Sequence, residues 1–468
     1  MIKAVVGSGG KTTLIHRMAE KYLSEGKKVF VTTSTHMYIE EDTVISDDAD
    51  EIISVMQDKG CVMAGTAETK DERKIKALSR ETYEKVCRYA DIVLVEADGS
   101  KGMPIKFPKE TEPVIYDNTD EIIVVCGLSA IGKKAKEVAF RLELVKQCLD
   151  IEDDTTVTAQ HIQKLIREGY LEPLAKKYPD KKVTVNPVCG KSLYQRIIAE
   201  LIKADADVSI VKEEWFGEKP KLVIMGAGHV AYDLAKIASC LDFYIKVIDD
   251  RAEFANKERF PFADEVVCAS FDNLQQHLEE NAFNVVVTRG HKADFECVKR
   301  ILGIPYRYIG MIGSRLKVQK TVENLVEEGI SEEKVKTVHA PIGLKIGAQT
   351  PAEIAVSILA EIISEKSRMN MSCVSEELLS VKEKGTLCII IGKSGSSPRD
   401  VGSMMFVCDD YTVDTIGGGT IELAAIKDAV ICDKIMIKEY DLSNEESEKL
   451  GMICGGRNTV LFIPLDKA

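Results

Sequence analysis

Aromatic residues are scarce, at 6% of 468 residues, and Trp215 is the single tryptophan. That scarcity argues against a groove in which single-stranded nucleic acid stacks its bases on aromatic rings. Positive charge is in deficit as well. Lys and Arg number 62 against 75 Asp and Glu, a formal net charge of −13, so the footprint of a phosphate-backbone binder is missing. No apolar run approaches the roughly 18–20 residues needed to span a bilayer. The start, MIKAVVGSGG, lacks the layout of a signal peptide and reads as a short strand entering a glycine loop. Thirteen cysteines contain no CxxC pair. An odd, dispersed set points to reduced thiols in the cytoplasm, not to a disulfide framework or a zinc ribbon. Neither nucleic acid nor membrane is expected as a partner.

What remains is ordinary for globular protein: 45% hydrophobic and 29% charged residues. At roughly 100–200 residues per domain, the length implies two to four domains, and the pattern divides into three. Residues 1–212 alternate short β-rich runs with amphipathic stretches, the signature of a parallel sheet with crossover helices. Within them Val157–Ala206 reads as a helical cap appended to that sheet. A polar stretch, Lys212–Lys221, reads as a linker. Residues 219–366 repeat the alternation, and Glu365–Met371 reads as a polar break. Residues 372–468 carry β-branched runs between glycine turns and read as a small α+β domain. The expected fold class is α/β: a P-loop-like parallel-sheet domain, a Rossmann-like domain, then the small domain.

Gly7-Ser8-Gly9-Gly10-Lys11-Thr12-Thr13 follows a strand and opens a helix. Glycines let backbone N–H groups curl around phosphate oxygens, lysine adds a point charge, and the helix N-terminus favours an anion. The Thr12 hydroxyl is positioned for Mg²⁺. Gly7 lies three residues before Gly10, so the loop is the shortened GxxGK[ST] type and not the full GxxxxGK[ST]. A later strand ends in Glu96-Ala97-Asp98-Gly99, where acidic residues at a parallel strand's carboxyl end suit Mg²⁺ or a positioned water. The competing reading of Asp98 is a turn residue before Gly99. Lys101 and Lys106 either add charge to this pocket or are solvated. These motifs, GSGGKTT, VTTSTHM, VEADGSKGMPIK and VCGLSAIGK, resemble the YqeC family. That resemblance implies an accessory factor of selenium-dependent molybdenum hydroxylases, whereas the residues by themselves argue for nucleotide binding, ATP or GTP with Mg²⁺.

In the middle block Gly226-Ala227-Gly228-His229-Val230-Ala231 sits between a strand and a helix, and a second strand ends in Asp249, where an acid would contact a ribose diol. Strand, glycine loop, helix, strand and acid in order predict a Rossmann fold, with NAD(P) or FAD as candidate ligands. His229 faces a ligand or simply begins the helix. Arg289 and His291 in Thr288–Asp294, and Arg315 after Gly313, lie at further strand ends. The arginines suit phosphate or pyrophosphate, and His291 is the candidate proton donor. With His339–Ala348 and Thr350–Ala355, this run is similar to the Rossmann half of the XdhC/CoxI family of xanthine dehydrogenase accessory proteins.

The last block supplies Ser396, Arg399, the Gly417-Gly418-Gly419 loop and Cys454. These motifs resemble the other half of the same family, which ordinarily comes first and here comes second. Glycine amides present N–H groups to an anion. Glycines around Cys454 give a ligand close access to its sulfur, for soft metal, sulfur or selenium chemistry; a structural cysteine in a glycine turn is the competing reading. The two resemblances together imply a maturation factor for a molybdenum hydroxylase that binds molybdenum cofactor. Its expected partners are the client enzyme, a sulfur or selenium donor protein, and a second copy in a homodimer. An NAD(P)-dependent oxidoreductase and a P-loop ATP-dependent ligase or kinase are the alternatives.

Overall fold

Two runs of five consecutive buried residues, Val29–Thr33 and Ile92–Glu96, mark strands covered on both faces, as in parallel sheets flanked by helices. The computed structural model describes residues 1–69, 71–190, 192–216, 219–241, 243–369, 374–395, 399–441 and 456–467. They fall into two units, Met1–Lys212 with Glu377–Ala468, and Glu213–Glu376. Among them no helix is long and apolar enough to cross a membrane.

The first unit is built on strands β1 (Ile2–Gly7), β2 (Val29–Thr33), β3 (Cys61–Ala67), β4 (Ile92–Glu96), β5 (Glu121–Gly127) and β6 (Lys182–Val188). Their order across the sheet is β6-β5-β1-β4-β2-β3, all parallel. Helix α1 (Lys11–Ser24) covers one face, where Ile15 and Ala19 pack on Val5, Val31, Leu94 and Val125. Helices α2 (Ala49–Lys59) and α3 (Arg80–Tyr89) cover the other, with Ile52, Met56, Tyr83 and Val86 against Phe30, Val93 and Val95. Fully burying a side chain of this size is worth about 1.5–3 kcal/mol. The expectation of an appended helical cap over Val157–Ala206 is corrected here. The stretch begins with helix α4 (Ala159–Ile166) and a π-turn over Arg167–Leu171, but β6 then joins the main sheet, pairing from Lys182↔Glu121 to Val188↔Gly127. Helix α5 (Leu193–Lys203) follows, started by the Ser192 hydroxyl, which accepts from the Gln195 amide. The alternating pattern of β6 is only half-buried, which is why helical neighbours masked it.

The second unit holds six parallel strands: β7 (Lys221–Met225), β8 (Tyr244–Asp249), β9 (Glu265–Cys268), β10 (Phe283–Val286), β11 (Tyr308–Met311) and β12 (Val338–His339). Their order, β9-β8-β7-β10-β11-β12, is 3-2-1-4-5-6 within the unit, the Rossmann arrangement. Helices α6 (His229–Ala238), α7 (His291–Ile301) and α8 (Arg315–Glu327) each begin at the carboxyl edge of that sheet. Helix α9 (Pro351–Arg368) starts with a capping box between Thr350 and Glu353 and with Pro at its first position. It runs to Arg368, so the polar stretch expected to break at Glu365 stays helical for its first residues. The expected linker holds a short turn, Glu213–Phe216, in which Trp215 is buried.

The C-terminal part of the first unit is antiparallel: β13 (Gly385–Ser394), β14 (Met404–Val407), β15 (Thr412–Asp414), β16 (Met436–Asp441) and β17 (Arg457–Leu465), ordered β15-β14-β13-β17-β16. Helix α10 (Gly419–Val430) lays Ile421, Ala425 and Ala429 on Cys388, Ile390, Met405 and Phe462. The buried guanidinium of Arg196, on α5, joins the two sheets of this unit. It donates to the Val381 carbonyl at 2.6 Å and to the Asp466 carbonyl at 2.8 Å. The chain is thus α/β, with a parallel-sheet region, a Rossmann-like region and a small α+β region.

Candidate functional site

The loop between β1 and α1 is shaped by three glycines at positive φ: Gly7 at 98°, Gly9 at 74° and Gly10 at 121°. A Cβ on Gly9 would sit 2.6 Å from the Gly127 Cα, so the loop lies directly on the end of β5. The first-turn amides of α1 have no intrahelical partners, and Thr12 and Thr13 in that turn are exposed. The sequence-predicted residues Gly7, Gly9, Gly10, Lys11, Thr12, Glu96 and Asp98 come together here, at the carboxyl ends of β1 and β4.

Lys11 is folded inward. Its Nζ donates to the Gly7 carbonyl at 2.7 Å and lies 3.1 Å from Asp98 Oδ1 and 3.9 Å from Glu96 Oε1. Asp98 is fully buried, and its carboxylate accepts from the Gly7 amide and from the Tyr170 hydroxyl at 3.0 Å each. Lys106, also wholly buried at its side chain, reaches Asp98 Oδ2 at 2.7 Å and Glu112 Oε2 at 3.3 Å. Glu112 in turn forks onto Arg141 at 2.6 and 2.7 Å. Burial pushes the Glu112 carboxyl up, but the Arg141 hydrogen bonds and the Lys106 charge outweigh it and bring it down to about 2. Tyr170 is pushed well up, by burial first and then by the Asp98 carboxylate.

Glu96 differs from Asp98. Its Oε2 is buried with no hydrogen-bond partner. Burial raises its carboxyl to about 7, Lys11 offsets part of that, and Asp98 adds to it. An orphaned carboxylate oxygen beside Thr12, at the start of α1, fits a metal ion that carries a phosphate group. The oxygens of Asp98 are instead engaged within the chain, which makes it the brace of the loop. Lys106, Tyr170, Glu112 and Arg141 complete this arrangement. Lys106 carried one local signal, a lysine flanked by apolar residues in a β-pattern, Ile105–Phe107. Tyr170 carried none, since it arrives from the π-turn after α4.

In the second unit the expected residues line the carboxyl edge. Gly226 (φ 106°) has no room for a Cβ, which would lie 2.5 Å from the Val287 carbonyl oxygen. His229, His291 and Arg315 are the exposed first residues of α6, α7 and α8. Arg289 is 65% exposed and lies 3.6 Å from Asp250. Asp249 is buried, and its oxygens accept from the Ala227 amide at 2.7 Å and from Arg251 Nε and Nη2 at 2.8 Å each. It therefore holds the glycine loop against β8, and the more exposed carboxylate at this strand end belongs to Asp250. Two sets of side-chain partnerships that no local spacing links sit nearby. Asp294, fully buried, joins the Thr288 hydroxyl at 2.5 Å to Lys317. Glu361 accepts from Tyr308 at 2.8 Å and the Gly343 amide at 2.7 Å, and contacts His339 at 3.0 Å.

In the small region the Gly417–Gly419 loop bends through three positive φ values, 127°, 70° and 66°. Its amides already face a carboxylate: Glu422 Oε2 accepts from Ile416 at 3.1 Å and Gly418 at 3.0 Å, and is hydrogen-bonded to Thr415. Arg399 is exposed. Ser396 and Cys454 lie outside the described residues.

Comparison with known proteins matches three stretches of the chain. Residues 3–143 match the YqeC protein model, 222–362 the XdhC Rossmann domain, and 378–433 the XdhC and CoxI family. The uncharacterized protein YqeB of Escherichia coli (strain K12) is 39% identical over 152 residues, 32% of this chain and 28% of that protein. A probable xanthine dehydrogenase subunit from Bacillus subtilis (strain 168) is 31% identical over 32% of this chain and 44% of that protein. The uncharacterized E. coli (strain K12) protein YqeC is 28% identical over 35% of this chain and 66% of its own length. The matches thus span between 28% and 66% of these relatives. The chain is a fusion of a YqeC-type region with the two regions of an XdhC/CoxI-type protein, the Rossmann region preceding the smaller one.

Proposed function

We propose that the protein is a cytoplasmic maturation factor for a molybdenum hydroxylase of the xanthine dehydrogenase type, one that requires selenium. The observation that carries this reading is the union, in one chain, of YqeC-type and XdhC/CoxI-type regions. In this reading the phosphate loop binds ATP or GTP. Lys11 and the α1 amides hold the phosphates, and Thr12 and Glu96 hold Mg²⁺. The exposed Arg289 and Arg315 and the helix starts beside them suit the phosphate or pyrophosphate of molybdenum cofactor. In the other unit Arg399 and the Gly417–Gly419 loop offer donors of their own once Glu422 gives way, and Cys454 offers a thiolate for metal, sulfur or selenium. The client hydroxylase and a sulfur or selenium donor protein are the partners, and a homodimer is the working assembly.

An NAD(P)-dependent oxidoreductase has less support, because Asp249, the acid that would meet a ribose diol, is engaged by Arg251 and the Ala227 amide. A stand-alone ATP-dependent ligase or kinase leaves both XdhC-type regions without a part. The test is co-purification of molybdenum and pterin from a host that makes the cofactor, with wild type and Cys454→Ala. Both should accompany wild type and decline in the variant. Wild type carrying neither, while binding NAD(P) tightly, overturns the reading.

A further inference from the structure

We propose that Lys106 is a positioning residue for the loop lysine: it holds the charge of Asp98 when Lys11 leaves that carboxylate for a phosphate. The inference rests on the phosphate-loop reading above and extends it to a residue outside the loop motif.

Three cations, Lys11, Lys106 and Arg141, meet three carboxylates, Glu96, Asp98 and Glu112. The Lys11 side chain is 3% exposed, with its charge on Asp98 and its hydrogen bond on the Gly7 carbonyl. A phosphate on the α1 amides requires that charge. If Asp98 had Lys11 as its sole cation, the move would strand a carboxylate with no exposure to water, a costly state. Lys106 removes that obstacle. Its Nζ is 2.7 Å from the other Asp98 oxygen, Oδ2, and is anchored by the Gly99 carbonyl at 2.9 Å. Tyr170 adds a neutral donor to the same oxygen at 3.0 Å.

After Lys11 has moved, two closed pairs remain, Lys106 with Asp98 and Arg141 with Glu112. The Gly7 amide stays on Asp98, so the loop keeps its shape. Lys106 comes from the short strand Ile105–Lys106, which pairs with Ala139–Phe140 and not with the main sheet. Its backbone is therefore held by a strand pairing outside the glycine loop.

The experiment measures binding of fluorescent ATP and GTP analogues with Mg²⁺ to the full chain. The proteins compared are wild type, Lys106→Met and the double variant Asp98→Asn/Lys106→Met. Lys106→Met should weaken binding at least tenfold, because Lys11 is then held as the sole cation on Asp98. The double variant should bind within threefold of wild type, because Asp98, the nearer of the two carboxylates around Lys11, then no longer restrains it. A merely structural role for Lys106 predicts the opposite order, with the double variant no better than the single. Lys106→Met within twofold of wild type, or a double variant without recovery, overturns the proposal. Should Lys106→Met not fold, Lys106→Gln carries the same expectation and the same refutation. Wild type that binds neither analogue overturns the phosphate-loop reading itself, and the proposal with it.

Discussion

Asp98→Asn tests the claim that the loop is braced by charge and not by shape. Asparagine keeps the volume and still accepts from the Gly7 amide and the Tyr170 hydroxyl. What it removes is the counter-charge of two lysines whose side chains are 0% and 3% exposed. Taking one partner from a buried ion pair typically costs about 3–5 kcal/mol, because the remaining charge is stranded. Glu112, 3.3 Å from Lys106, and Glu96, 3.9 Å from Lys11, offset part of that for each cation, so the loss is set at that range and not at twice it. For a unit of this size each kcal/mol shifts the midpoint by roughly 2 °C, giving a fall of about 6–10 °C. Calorimetry on the full chain reads this directly. The fluorescence of Trp215, which lies in the other unit, serves as an internal reference. A comparison variant is Glu84→Gln, which deletes the Arg80 pair at 80% and 41% exposure. An exposed pair of that kind contributes little and should shift the midpoint by no more than about 1 °C. A fall below about 2 °C for Asp98→Asn would refute the reasoning, since it would mean that the lysines were not held by that charge.

Glu112 titrates in the folded chain at about 2, below the ordinary glutamate value of 4.5, so its contribution is complete above pH 4.5 and is lost as pH falls towards 2. Glu112→Gln should therefore flatten the acid limb of stability across that window by roughly 3 kcal/mol, seen in denaturant titrations at stepped pH. Tyr308→Phe removes the hydroxyl that donates to Glu361 at 2.8 Å and should destabilise the second unit by about 1.5–3 kcal/mol in the same titrations. Arg196→Ala releases the Val381 and Asp466 carbonyls. Amides of α5 and β17 should then exchange hydrogen at least tenfold faster, and Arg196→Lys should not restore protection, because an ammonium cannot fork onto two carbonyls.

Local rules carried much of the fold. Glu121–Gly127 was readable as a strand to the residue, because its apolar run ends at a glycine. The Rossmann arrangement followed from a glycine loop bracketed by a strand and a helix. The glycine loop Gly7–Thr13 was readable for the same reason, since its shape is contained in seven consecutive residues. Where the sequence fell short, the missing information was long-range. Strand β6 hid among helices because its partner, β5, lies some 60 residues earlier. The role of Asp98 depends on Tyr170 and Lys106, which no local spacing links to it. The same holds for the acid at the end of β8. Position and residue type marked Asp249 as a ribose contact, but Arg251, two residues on, folds back and occupies both oxygens. Motifs report which groups chemistry needs at a strand end, whereas the buried charges around them decide which of those groups is free to act. At the Gly7–Thr13 loop those charges meet on a single carboxylate, Asp98, which pairs with both Lys11 and Lys106.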